Sequence, residues 1–207
     1  QLIARPTRHP SDPITIAYLG EPRDEKGFPW LPDLIDALRD EYLLPGKARF
    51  VIQSNVSQPQ YNPHSTPALS RLKRQAKLGV ELVGQRGPLS PEQYFELVSR
   101  ADVVLLPYSR GAYRTRTSGA LGEALAAGAA VVVPEETWLA DQLPPGCGET
   151  FETFGDFVMA VKQILDDFES YASAASRNRP LWCQRHSPDA LVAALVDEPE
   201  ASLRAAA

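Results

Sequence analysis

Short apolar runs alternate with stretches whose apolar residues recur every three or four positions. Residues 14–19, 48–53, 80–83, 103–106 and 130–133 read as strands, and a weaker sixth is expected at 149–151. Helical periodicity covers 31–42, 66–78, 91–99, 118–127, 156–171 and 188–196, with a short helix starting at Thr137. The starts carry their own signals. Thr66-Pro67, Ser90-Pro91 and Ser187-Pro188 each set a capping residue before a first-turn proline, and Gln93 completes a capping box with Ser90. None of the strands shows the apolar–polar alternation of a half-wet strand. Such runs fit a sheet buried on both faces, which is a parallel sheet. The expected fold is α/β: a single doubly wound Rossmann-like domain, with a mostly parallel six-stranded sheet and helices on both faces. Residues 1–13 read as a linker or crossover, 14–180 as the domain, and 181–207 as a C-terminal helix with a frayed tail. Ligands of such sheets bind beyond the carboxyl ends of the strands. Attention therefore falls on the loops after Leu19, Gln53, Val83 and Leu106.

Composition narrows the classes. The 207 residues carry 21 Lys plus Arg against 26 Asp plus Glu, a net charge of −5. This balance argues against nucleic acid or an anionic membrane surface as the partner. Cys147 and Cys183 form neither a CxxC pair nor a zinc spacing, so a reduced, cytoplasmic setting and no metal are expected. The longest nearly apolar stretch, 124–133, is about half a membrane span, and no transmembrane segment is expected. The 19 prolines sit at punctuation points. A chain opening on Gln1 with a linker-like start leads us to expect further sequence upstream.

Two loops carry the candidate chemistry. After the first strand comes Gly20-Glu21-Pro22-Arg23-Asp24-Glu25-Lys26-Gly27. It lacks both GxGxxG and the P-loop pattern. Arg23 and Lys26 can reach a diphosphate, Arg by its fork and Lys as a point charge. A solvated turn, with Asp24 and Glu25 balancing the cations, accounts for the same residues. After the fourth strand, residues 107–117 lead to Ser118-Gly119-Ala120-Leu121 at a helix start. Free N–H groups and the helix dipole suit a phosphate there, and Gly119 leaves the backbone open. Glu123 is the only charged residue between Gly119 and Val133. It stands five residues past Ser118, about 7.5 Å along a helix, comparable to the offset between a nucleotide's phosphate and its ribose. A carboxylate can accept two ribose hydroxyls; an exposed helix stripe is the plainer reading. His9, His64 and His186 are isolated, and no GxSxG elbow occurs. Ser54 and Asn55 end a strand and can line the cleft, Asn55-Val56-Ser57 is a formal glycosylation sequon, and Trp138 and Trp182 read as packing residues.

Three segments together carry a resemblance. They are the strand with Gly20 and Lys26-Gly27, then Ala101-Asp102-Val103-Val104-Leu105-Leu106-Pro107, then Gly119-Ala120-Leu121-Gly122-Glu123-Ala124-Leu125-Ala126-Ala127-Gly128 ahead of Val131-Val132-Val133-Pro134. They resemble the C-terminal, donor-binding domain of family-4-type (group 1) glycosyltransferases, half of a GT-B fold, over about residues 14–197. The resemblance implies a nucleoside-diphosphate sugar as donor substrate, a hexosyl transfer to an acceptor hydroxyl, no cofactor, and an N-terminal acceptor domain not contained here. It implies that Lys26 and a nearby arginine bind the diphosphate, that amides from Ser118 through Leu121 hold phosphate, and that Glu123 binds the ribose. Two positions depart. Glu21 stands where the family commonly has arginine, with Arg23 as the substitute, and Thr115 stands where a glutamate usually meets the transferred sugar. Arg110, Tyr113 and Arg116 are the nearby candidates for a reshaped sugar pocket. The segment 182–188 looks like the family's crossing back to the other domain. Two rivals stay open: a non-catalytic module that kept the fold, and a two-domain sugar-nucleotide epimerase.

Overall fold

The computed structural model describes residues 8–55, 59–85 and 87–197. Most of the expected linker, the centre of the sequon and the tail beyond 197 lie outside these residues. Six parallel strands form one sheet: β1 (Ile14–Tyr18), β2 (Ala48–Gln53), β3 (Val80–Val83), β4 (Val103–Leu105), β5 (Ala130–Pro134) and β6 (Gly148–Phe151). Their spatial order is β3-β2-β1-β4-β5-β6. The direction in which successive strands are added therefore reverses between β1 and β4, which opens a crevice at the carboxyl ends of those two strands.

The strand sequences explain the layering. Along β4 and β5, Val103, Leu105, Ala130 and Val132 face one apolar cluster, while Val104, Val131 and Val133 face the other. Alternate residues on a strand point to opposite faces, so both faces are apolar and both must be covered. On the first face lie α1 (Leu31–Leu38), α2 (Ser65–Arg74) and α7 (Phe154–Asp166). On the second lie α3 (Pro91–Arg100), α5 (Gly119–Ala127) and the short α6 (Trp138–Asp141). A further short helix, α4 (Arg110–Tyr113), stands in the loop after β4.

Three expectations are corrected. The helix expected over 31–42 is α only to Leu38 and widens into a π-helical turn over Arg39–Leu43. The helix expected over 156–171 is two helices: α7 ends at Asp166, and α8 (Phe168–Arg185) follows after Asp167. Phe168 and Tyr171 of α8 pack on the first face, whereas Ala174, Ala175 and Trp182 pack on the second. The break thus steers the chain from one layer to the other, which continuous periodicity conceals. Pro180 lies inside α8 rather than at a boundary, and the expected limit at 180/181 falls within this helix. The last helix, α9 (Pro188–Asp197), begins where Ser187-Pro188 placed it. No helix among the described residues is long and apolar enough to cross a membrane.

Candidate functional site

The crevice between β1 and β4 is built by pressing two loops together. Gly27 adopts φ +69°, and a Cβ there would lie 1.9 Å from the Pro107 carbonyl oxygen. Only glycine combines the left-handed backbone with that approach. The Ser109 amide donates to the Glu25 carbonyl at 2.8 Å and closes the same seam. Tyr18, at the end of β1 and fully buried, offers its hydroxyl to the Lys26 carbonyl at 3.5 Å. The Gly20 amide donates to Gln53 Oε1 at 2.8 Å, which ties the loop to β2. Asp24 binds the start of α2: its carboxylate accepts from Ser65 Oγ at 2.7 Å and from the His64 amide at 3.1 Å. The helix therefore begins one residue before Thr66, and its cap comes from a distant loop.

The cations of this loop differ in their surroundings. Arg23 lies 3.3 Å from Glu25 and 3.8 Å from Glu21. Its Nε is buried and closes no hydrogen bond among the described residues. Arg116 reaches Glu25 at 3.5 Å. Lys26 has no carboxylate within 4 Å among the described residues. Its Nζ stands 5.5 Å above the Tyr108 ring and would lie 3.2 Å from a Cβ at Gly20. Burial, and next the Arg23 charge, lower the Lys26 pKa, with Glu21 and Glu25 opposing. Burial thus disfavours the charged form of this ammonium relative to water.

Across the crevice α5 begins. Ser118 Oγ accepts from the Leu121 amide, the expected cap. The Gly119 and Ala120 amides form no hydrogen bond among the described residues, and a Cβ at Gly119 would meet nothing within 4 Å. One and a half turns on, the half-buried Glu123 accepts a hydrogen bond from Tyr94 Oη on α3. Burial, followed by this bond, pushes the Tyr94 pKa well up, so the phenol stays a donor. Glu123 borders an open groove of about 600 Å³ that also holds Gly119, Gly122, Trp182 and His186. A second cleft, about 420 Å³, lies beyond β3 and includes Gly84, Leu89 and Gln93, next in sequence to Tyr94.

Arg23, Lys26, Ser118, Gly119, Ala120 and Leu121 all sit at the β1–β4 crevice, and Glu123 lies deeper on the same helix. Arg110, Tyr113 and Arg116 do not converge. Arg110 pairs with Glu152 at 2.9 Å and with Glu136. Tyr113 is buried against Tyr108, ring centroids 4.4 Å apart, and Arg116 turns to Glu25. Ser54 is also spent internally, donating to the Val83 carbonyl at 2.8 Å. Trp138 and Trp182 pack in the second-face cluster. Sequence reasoning missed Tyr94, Tyr108 and Gln53. Each acts through a contact across the sheet or between helices, and no local pattern marks it.

The family described as glycosyl transferases group 1 matches residues 13–167, about three quarters of the chain. No curated protein matches the sequence. Similar solved structures include Alr3699/HepE of Anabaena in complex with UDP, with TM-score 0.66 and 14% identity over 90% of this chain and 48% of that one. The C-terminal domain of LpcC, a group 1 family protein of Francisella tularensis, gives 0.66 and 14%, over 86% and 89%. A trehalose-6-phosphate structure from E. coli, bound with UDP-2-fluoro glucose, gives 0.63 and 13%, over 84% and 41%. This chain spans less than half of the HepE and E. coli chains. The parallel six-stranded sheet is shared with GT-B domains, and with the family match over most of its length this chain belongs to the group 1 glycosyltransferases.

Proposed function

We propose that this chain is the nucleotide-sugar-binding half of a glycosyltransferase that passes a hexosyl group from a nucleoside diphosphate to an acceptor hydroxyl. One observation carries the reading: Lys26, with no carboxylate within 4 Å among the described residues, stands at the switch crevice where the open amides of α5 begin. Lys26 and Arg23 would neutralise the diphosphate as it leaves, and the Gly119 and Ala120 amides would hold its oxygens. Fixed charge and dipoles of this kind favour the transition state because they need no rearrangement as charge develops. Glu123, oriented by Tyr94, would accept the ribose hydroxyls. The base would lie toward the cleft beside Gln93. UDP in the HepE structure and UDP-2-fluoro glucose in the E. coli structure support a uridine nucleotide as the first to test. An acceptor domain would supply the opposite wall, and the isolated chain would turn over little. α9 offers an attachment surface for it: Leu191, Val192, Leu195 and Val196 are all exposed.

Titration calorimetry with UDP tests the site. Lys26→Ala and Glu123→Ala are each expected to weaken binding by about 10-fold or more, the worth of a hydrogen bond to a charged group. Unchanged affinity in both would remove the assignment. A second reading, a module that kept the fold and lost the site, is favoured by Glu21 and Glu25, which lie against Arg23. It predicts that no nucleotide sugar raises the melting temperature of the folded protein.

A further inference from the structure

Among the buried polar groups that the proposed function leaves unused, one stands at the crevice itself. Tyr108 follows Pro107 at the end of β4 and is only 3% exposed, yet its hydroxyl closes no hydrogen bond among the described residues. An orphaned phenol in a core is costly and calls for an explanation. Its position supplies one. Lys26 Nζ stands over its ring, Tyr113 packs against it at a 45° tilt, and the Arg23 and Glu123 charges are near enough to act on its ionisation. Ser118 Oγ, already accepting from the Leu121 amide, stands beside the hydroxyl and draws the phenol's pKa down against the larger effect of burial. Tyr108 thus bridges the cationic loop and the start of α5. Arg23 Nε, on the facing loop, is also buried without a hydrogen bond among the described residues, with Glu21 3.8 Å away.

Resting on the donor-site reading, we propose that Tyr108 is a further donor-contacting residue, its hydroxyl hydrogen-bonding a phosphate oxygen of the bound nucleotide once Lys26 swings off its ring to meet that phosphate. Lys26 is free to make this move because no carboxylate among the described residues holds it within 4 Å. Burial keeps the phenol protonated, and it therefore remains a donor across the physiological range. The site would hold the diphosphate with a side-chain hydroxyl beside its cations and the amides of α5.

Tyr108→Phe separates a ligand role from a structural one, because the two predict opposite changes. Removing an unsatisfied hydroxyl leaves the ligand-free melting temperature unchanged or raised. The same substitution is expected to weaken UDP binding about 10-fold by calorimetry. It should also diminish any tyrosine near-ultraviolet difference signal that UDP binding produces in the wild-type chain. UDP affinity equal to wild type in a folded Tyr108→Phe chain overturns the inference. So does a fall in melting temperature that accompanies the loss of affinity, since that marks a packing role. Pyrophosphate provides the second measurement: its affinity should fall by the same factor, whereas a loss confined to UDP would place the contact elsewhere and overturn the phosphate assignment. A wild-type chain that binds neither UDP, GDP nor ADP counts against the donor-site reading itself.

Discussion

At the scale of single residues the site turns on one ammonium. Its pKa lies below the ordinary 10.5 because burial penalises the charged form and Arg23 adds repulsion. The sign of the pH dependence follows. Between the folded-state value and 10.5 the unfolded chain binds more protons, so ligand-free stability rises with pH across that window. On the proposed function a bound diphosphate would restore the charge, so binding would take up a proton and nucleotide affinity would fall across the same window. Calorimetry at successive pH values should show both trends, and Lys26→Arg, which stays charged, should flatten the affinity curve. A flat wild-type curve would mean that Lys26 does not meet the anion. Lys26 and Glu123 were legible in the sequence because each stands out from its neighbours: a cation beside Gly27 after a strand, and a lone charge on an apolar helix. Tyr94 and Tyr108 were not legible. A tyrosine acquires a role from the group that tertiary packing sets opposite it, and neither its spacing nor its flanks encode that group.

At the scale of elements, local signals were read well and remote ones were missed. Ser90 with Gln93, Ser118 and Thr137 cap their helices through bonds that span three residues, short enough for sequence to specify. The start of α2 escapes such reading because its cap, Asp24, comes from the β1 loop. That remote cap makes the helix and the β1 loop one mechanical unit. Asp24→Ala should therefore cost about 1 kcal/mol of stability in urea denaturation, the usual worth of a cap. It should also weaken UDP binding, although Asp24 itself is turned to α2 rather than to the crevice. Asp24→Asn keeps an acceptor oxygen and should recover much of both losses. A loss of stability with unchanged affinity would show that loop and helix are not coupled.

At the scale of the whole molecule, the alternation of strands and helices was enough to specify the sheet, since a parallel sheet buried on both faces leaves few alternatives. It was not enough to specify how the chain leaves it. α8 crosses from one face to the other and ends with Trp182 buried, its Nε1 donating to the Gly122 carbonyl at 3.1 Å, beside Glu123 on α5. α9 then projects with its apolar residues exposed: Leu191 is 63% accessible and Leu195 70%. If the folding unit ends between the two helices, their variants should differ. Trp182→Ala should lower stability by about 3–5 kcal/mol, the range for emptying a buried aromatic site. Because Gly122 adjoins Glu123, nucleotide affinity should fall with it. Leu191→Ser with Leu195→Ser should leave the stability of the same chain within about 0.5 kcal/mol, as exposed substitutions do. Urea denaturation of the two variants decides the matter. A comparable loss in the α9 variant would mean that this helix folds back onto the domain, and its apolar face would then no longer be available to an acceptor domain.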